Sequence, residues 1–437
     1  MGGYLPTTGE ERRQMLDFLG LESHGELFRD IPQQLLAQRL DLPDGKSELE
    51  VRRQVTAMQA KNRVFGSIFR GAGAYSHYIP AVVKQIAAKE TFITAYTPYQ
   101  AEISQGVLQA IFEFQSGICA LTGLDVSNAS VYDGASAAAE AVLACRERAR
   151  SKVLVAETAA PGVKATIGTY CESADAPLET VAAAGGVLDH ADLDARLADD
   201  VACLYVQSPN FFGQIEDVAA IAEACHARGV RVVMGCNPLA LALLKTPAEL
   251  GADMAVGEAQ PLGLPLSFGG PYLGFMAAKK ELMRKIPGRI VGQTTDNRGN
   301  RCFVLTMQAR EQHIRREKAS SSLCSNQALC ALTATAYLAA MGPQGLRDAA
   351  QQCYAKAHYL ADALRQAGYP PLHEGDFFHE FVTACPADPQ ALMDRLAAED
   401  ILGGLPVEGG ILWCCTELNT KAEMDRVAEI CREVAAG

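Results

Sequence analysis

Val218-Ala219-Ala220-Ile221-Ala222-Glu223-Ala224-Cys225-His226-Ala227-Arg228-Gly229-Val230-Arg231-Val232-Val233-Met234 carries the clearest helix-to-strand signal in the chain. Its first part, Val218 to Arg228, predicts a helix. Gly229 supplies the left-handed residue that commonly stops one. The run that follows is short, apolar and rich in Val, which predicts a buried strand. The same kind of strand recurs at Val153–Ala156, Ala202–Val206, Met254–Val256 and Gly274–Ala277, with helical segments between several of them. Helix and strand in alternation predict an α/β fold built on a doubly wound, mostly parallel sheet.

The organisation on either side differs. Thr8-x-x-Glu11 and Ser47-x-x-Glu50 are capping-box patterns, separated by the turn signal Asp41-Leu42-Pro43-Asp44-Gly45. Residues 1–65 therefore read as a helical N-terminal arm, which either wraps a partner or packs on its own chain. Residues 66–340 form the large α/β domain, in which 66–105 reads as irregular chain and a helix begins at Ser104 or Gln105. Beyond 341 come a helix over Leu346–Ala367, strand-like pieces at Glu380–Ala384 and Gly410–Trp413, and a last helix opened by Thr420-x-x-Glu423. Residues 341–437 thus read as a small α+β C-terminal domain.

Composition excludes several functions. With 437 residues and a net charge of -12, the chain lacks the clustered cations that nucleic-acid phosphates require. No apolar run is long enough to span a membrane, and the start at Met1 has no secretory pattern. The fourteen cysteines form no Cys-x-x-Cys pair and sit in apolar segments, as expected of buried free thiols in a reducing, cytoplasmic compartment. His373 and His379 flank Asp376 but fit no metal-ligand spacing, so no metal is expected.

Three stretches carry chemistry. In Tyr132-Asp133-Gly134-Ala135-Ser136, small residues open an Ala-rich helix, and the free N–H groups of such a turn favour a phosphate. Ala95-Tyr96-Thr97-Pro98-Tyr99-Gln100-Ala101-Glu102-Ile103-Ser104-Gln105-Gly106 packs phenols, amides, hydroxyls and a carboxylate too densely for any strand or helix period. A polar loop of that kind on a rigid scaffold is where a site is built. Gln308 to Lys318 is a mixed-charge run that opens into the uncharged Ser320-Ser321-Ser322-Leu323-Cys324-Ser325-Asn326-Gln327. Arginines at such a transition commonly bind carboxylate or phosphate through a bidentate fork.

Taken in this order, the stretches resemble the P-protein family of glycine dehydrogenase (decarboxylating) along nearly the whole chain. Tyr96 to Gly106 resembles its Tyr-Thr-Pro-Tyr-Gln-x-Glu-x-Ser-Gln-Gly motif. Asp133 through Glu140 and Ala141, Pro287 to Gly292, and Arg310 to Arg316 match it as well. The resemblance implies the type I fold of pyridoxal-phosphate-dependent transferases and a site shared between two such domains. It also implies the reaction: glycine loses CO2 and its aminomethyl group passes to the lipoyl arm of the H-protein.

In that fold the cofactor is held by a lysine just past a strand, and an acid on the preceding strand faces the pyridine nitrogen. Here Gly235-Cys236-Asn237 offers no acid, and Asp253–Tyr272 contains no lysine. Lys245 comes too early; Lys279 and Lys280 come too late. The chain therefore resembles the N-terminal, lysine-free half of the family, the alpha subunit of a two-subunit enzyme. Pyridoxal 5'-phosphate is expected on a lysine-bearing beta subunit within an α2β2 assembly. Tyr96, Thr97, Tyr99, Gln100, Glu102 and Ser104 are expected to border the partner's site, with His77 and Tyr78 on the same rim. Gly134, Ala135 and Ser136 are expected to be a vestige of the phosphate cup. The alternatives are a complete pyridoxal enzyme acting through Lys245 or Lys318, and a non-catalytic scaffold.

Overall fold

A computed structural model describes residues 6–36, 41–93 and 98–435, and divides the chain into two compact units, Met1–Val64 and Phe65–Gly437. The first unit carries α1 (Gly9–Leu19) and α2 (Glu48–Gln59), each opened by the expected capping box. Thr8 Oγ1 accepts the Glu11 N–H at 3.2 Å, and Glu11 returns a carboxylate to the Thr8 N–H at 2.6 Å. Neither helix buries a residue. On α2 the exposed Val51, Val55 and Met58 stand at the i, i+4, i+7 spacing of one face.

The second unit is organised by a seven-stranded sheet. Its strands in chain order are β1 (Val126–Ser127), β2 (Lys152–Ala156), β3 (Leu178–Val181), β4 (Val201–Gln207), β5 (Arg231–Gly235), β6 (Met254–Glu258) and β7 (Gly274–Ala278). The spatial order is β1-β7-β6-β5-β4-β2-β3, parallel throughout except that β7 runs antiparallel to both its neighbours. Alternate residues enter two separate cores. Leu204, Val206, Val232 and Met234 face one, while Cys203, Tyr205, Val233 and Val256 face the other. A sheet covered on both faces reads as unbroken apolar runs, which explains why five of its strands were legible in sequence. The helix Val218–Ala227 ends as expected: Gly229 has φ +68°, and the Val230 N–H reaches back to the Cys225 carbonyl at 2.9 Å.

Two features lay outside the sequence reading. The edge strand β3, Leu178-Glu179-Thr180-Val181, is short and polar on one side. The hairpin of β8 (Ile290–Thr295) and β9 (Arg301–Thr306) is held by a helix, α3 (Gln105–Thr122). Gln115 donates to the Val291 carbonyl at 3.0 Å and accepts the Val291 N–H at 2.9 Å. Gln105 does the same to Phe303, at 2.9 and 2.8 Å. Each side-chain amide thus satisfies one donor and one acceptor as a neighbouring strand would.

A long helix, α5 (Ala328–Gln366), is interrupted at Gly342-Pro343, where Gly342 takes φ +61°. The kink lies within the single compact unit Phe65–Gly437. Packing changes beyond it: Cys353 belongs to the large core, whereas Ala357, Leu360 and Leu364 pack in a separate core with Trp413 and Phe381. The C-terminal segment contains the antiparallel sheet β10 (Glu380–Ala384), β12 (Gly410–Cys414), β11 (Leu405–Val407), in that order, and the closing helix Lys421–Ala435. All fourteen cysteines are free, and ten of them are buried.

Gln115→Leu keeps the bulk of the side chain but orphans the Val291 N–H and carbonyl. It should cost about 2–4 kcal/mol of stability. Urea unfolding checks the cost, and hydrogen exchange should show early loss of protection at the Val291 amide. An unchanged Val291 amide would mean that α3 does not hold the hairpin.

Candidate active site and its missing cofactor groups

The parallel strands β4, β5 and β6 end on one side, and a cavity of about 380 Å³ opens there. Gln207, Gly235, Cys236, Asn237 and Glu258 line it from the strand ends. Gly134 and Ala135 line it from α4 (Gly134–Ala144), and Tyr75, His379 and Glu380 close it from the other side. Gly134 is required by close approach: a Cβ there would lie 2.8 Å from the Glu258 backbone nitrogen. Gly235 is required as well, since a Cβ would collide with the Tyr205 hydroxyl.

Two of the three first-turn N–H groups of α4, those of Gly134 and Ser136, are satisfied from within the chain. Asp133, its N-cap, accepts the Ser136 N–H at 2.7 Å. Glu258 Oε2 accepts the Gly134 N–H at 3.0 Å, and Oε1 accepts the N–H groups of Leu273 at 2.8 Å and Gln260 at 3.0 Å. Burial pushes the Glu258 carboxyl up to about 7, with these three donors opposing the rise. Glu380 is likewise pushed up to about 7 by burial while it accepts from the Tyr75 hydroxyl at 2.7 Å and the Ala72 N–H at 2.6 Å. His379 is driven down to about 3, first by burial and then by His77.

These residues do not fit pyridoxal phosphate. The lining contains three acids, Asp133, Glu258 and Glu380, and neither Lys nor Arg. A phosphate entering the expected cup would meet carboxylates already holding the Gly134 and Ser136 N–H groups. The strand end at Gly235-Cys236-Asn237 has no acid for a pyridine nitrogen, as the sequence implied. Lys245 and Lys318 are exposed, and neither lines the cavity. Lys279 pairs with Asp253 at 2.6 Å, at the opposite end of β6.

The remaining expected site residues fall in two places. Tyr96 and Thr97 lie outside the described residues. Tyr99, Gln100 and Glu102 are exposed, and Ser104 is buried at the N-cap of α3. None of these four lines the cavity. Tyr99 is held by the Arg289 guanidinium, 4.6 Å from its ring centroid. Tyr78 is exposed. His77 is buried, with Nδ1 2.8 Å from Glu417 Oε2. Glu417 also accepts from Cys353 Sγ at 3.2 Å and from the Tyr78 N–H. His77, Cys353 and Glu417 bring their ligand atoms within 4.8 Å of one another, the Glu417 carboxylate accepts from Cys353 and the Tyr78 N–H, and His77 Nε2 is buried without a partner among the described residues. His373 and His379 do not converge: His373 packs on Phe212 and His379 on Tyr75.

Sequence reasoning missed Glu258 and Glu380, because a single acid after an apolar run gives no sign of what it will cap. It also missed the contact between two of its own motifs: the Ser321 hydroxyl donates to the buried Glu140 at 2.7 Å.

The raised Glu258 pKa gives a signed expectation. The folded chain holds a proton that the unfolded chain has lost between about pH 4.5 and 7. Stability from the neutral form is therefore present below the lower value and lost as pH rises through the upper one. Glu258→Gln stays neutral throughout. Urea midpoints of the variant relative to the parent should improve by about 2–3 kcal/mol across that window. Parallel pH profiles for the two proteins would rule this out.

Residues 2–431 match the family model described as glycine cleavage system P-protein. The probable glycine dehydrogenase (decarboxylating) subunit 1 of Desulforamulus reducens is 48% identical over 437 residues, covering 97% of this chain and 98% of that one. A crystal structure of glycine decarboxylase (P-protein) of the glycine cleavage system, in inhibitor-bound form, superposes with a TM-score of 0.93 at 42% identity. It covers 99% of this chain and 100% of that one. Alanine–glyoxylate aminotransferase from Nostoc sp., with a TM-score of 0.59 at 16% identity over 92% of this chain and 98% of that one, shares the fold. The fold is that of the type I pyridoxal-phosphate-dependent transferases. Matched by the family model over nearly its whole length, and sharing close to half its residues with a relative of the same extent, the chain belongs to the glycine cleavage system P-protein family.

Proposed function

We propose that this chain is the lysine-free subunit of a glycine-decarboxylating enzyme and acts by completing the active site of a lysine-bearing homologue. The observation that carries this reading is the separation of its two halves of a site. The cavity at the strand ends is lined by its own carboxylates, while Tyr99, Gln100 and Glu102 of the polar loop are exposed and line no part of it. The partner carries pyridoxal 5'-phosphate, which supplies the electron sink for loss of CO2 from glycine. The aminomethyl group then passes to the lipoyl arm of the H-protein.

The work of this chain is positioning. Gln105 locks the end of the loop to β9, and Arg289 backs the Tyr99 ring, so the exposed Gln100 amide and Glu102 carboxylate are presented on a rigid base. Groups held in place before the substrate arrives give up little further freedom when it binds. The apolar face of α2, which its own unit leaves exposed, supports a large contact with the partner subunit. Two-fold doubling of the pair gives the α2β2 form. No helix among the described residues is long and apolar enough to cross a membrane.

Gln100→Ala, on an exposed residue, should leave assembly intact and lower glycine–bicarbonate exchange by the intact enzyme about ten- to a hundred-fold. Parent-level exchange with normal assembly would remove the loop from the site. The chain mixed alone with pyridoxal phosphate should give no aldimine absorbance, and borohydride trapping should mark no single lysine. A stoichiometric phosphopyridoxyl-lysine would overturn the reading.

A further inference from the structure

The Arg310–Lys318 run is not used by the reading above. It carries four cationic side chains and two acidic ones in a protein of net charge -12. Its first residues are drawn inward. Arg289 is 7% exposed and forms an ion pair with Glu311, itself 5% exposed. Glu311 pairs with Arg289 through Oε2 while its Oε1 is buried without a partner, and Arg310 makes no ion pair among the described residues. Among the described residues, the only acceptor for Arg310 is the Gly288 carbonyl, 2.6 Å from Nη2. The Nε atoms of Arg310 and Arg289 are both buried with no hydrogen-bond partner. Leaving a buried guanidinium N–H unmade is costly, and a charged acceptor repairs it best. Burial, and then the Arg289 charge, pull Arg310 down to about 10, so it remains a cation at neutral pH.

We propose that Arg310, backed by Arg289, is an oxyanion-binding site whose ligand presents two oxygens to the guanidinium fork. The Tyr99 ring, stacked on Arg289, places this site beside the polar loop. Two sources offer that chemistry there: the phosphate ester of a cofactor in the partner's site, or the carboxylate of the amino-acid substrate. The choice between them rests on the proposed role of the loop; anion binding by this chain does not.

Arginine-directed labelling with phenylglyoxal, read by peptide mass spectrometry on the full chain, tests the binding step. Inorganic phosphate or acetate should protect Arg310 relative to chloride at equal ionic strength. In Arg310→Lys the charge remains but the fork is lost, and calorimetric affinity for the protecting anion should fall about tenfold or more. Gln100→Ala, which tests the loop, should leave protection unchanged. Protection by neither anion, or full affinity in Arg310→Lys, overturns the proposal. In the assembled enzyme, a weakened apparent Kd for pyridoxal phosphate in Arg310→Lys with an unchanged KM for glycine identifies the phosphate source. A raised KM with an unchanged cofactor Kd identifies the carboxylate. If neither constant moves, the anion does not belong to the shared site and the assignment falls.

Discussion

Much of this structure turns on one carboxylate. Glu258 ends β6 and collects N–H groups from the start of α4, from the turn at Gln260 and from Leu273 just before β7. Three chain segments meet on it at the carboxyl edge of the sheet. A helix N-terminus at such an edge is ordinarily open to an anion from outside. Here a carboxyl of the protein supplies the acceptor. Gly134 is pressed against the strand, and Glu258 and Asp133 take the Gly134 and Ser136 N–H groups. Burial keeps the Glu258 carboxyl close to its neutral form, which limits the cost of placing three acids around one cavity.

On the proposed reading, a domain whose own cup is lined by carboxylates shapes a neighbour's pocket, provided its contributing residues are rigid. The rigidity comes from α3, whose two glutamines act as surrogate strand edges for β8 and β9, and from the Arg289–Tyr99 stack. The same Arg289 pairs with Glu311 Oε2, and Arg310 makes no ion pair among the described residues. Hairpin, loop and basic run are therefore one mechanical unit, although more than two hundred residues separate Tyr99 from Arg310 in sequence.

How much of this could be read in advance depends on the range of the interactions. The strands at 152–156, 201–207, 231–235, 254–258 and 274–278 were legible because a doubly covered sheet demands continuous apolar runs. Thr8, Ser47 and Thr420 announced helix starts because capping is decided within four residues. The edge strand β3 and the hairpin escaped, being half polar and recognisable only by what pairs with them. The arginine run was marked as an anion-binding element in sequence. That Glu311 would be consumed by Arg289, and not by its neighbour Arg310, could not be read from spacing.

The fold class, the family and the lack of lysine between Asp253 and Tyr272 are legible in sequence, since each rests on which residue types occur and in what order. Packing shows in addition that Asp133 and Glu258 accept from the first turn of α4, that Tyr99, Gln100 and Glu102 line no part of the cavity, and that Arg310 makes no ion pair among the described residues. The physical reason is that propensity and periodicity are local, whereas the partner of a buried charge is chosen by packing between segments distant in the chain.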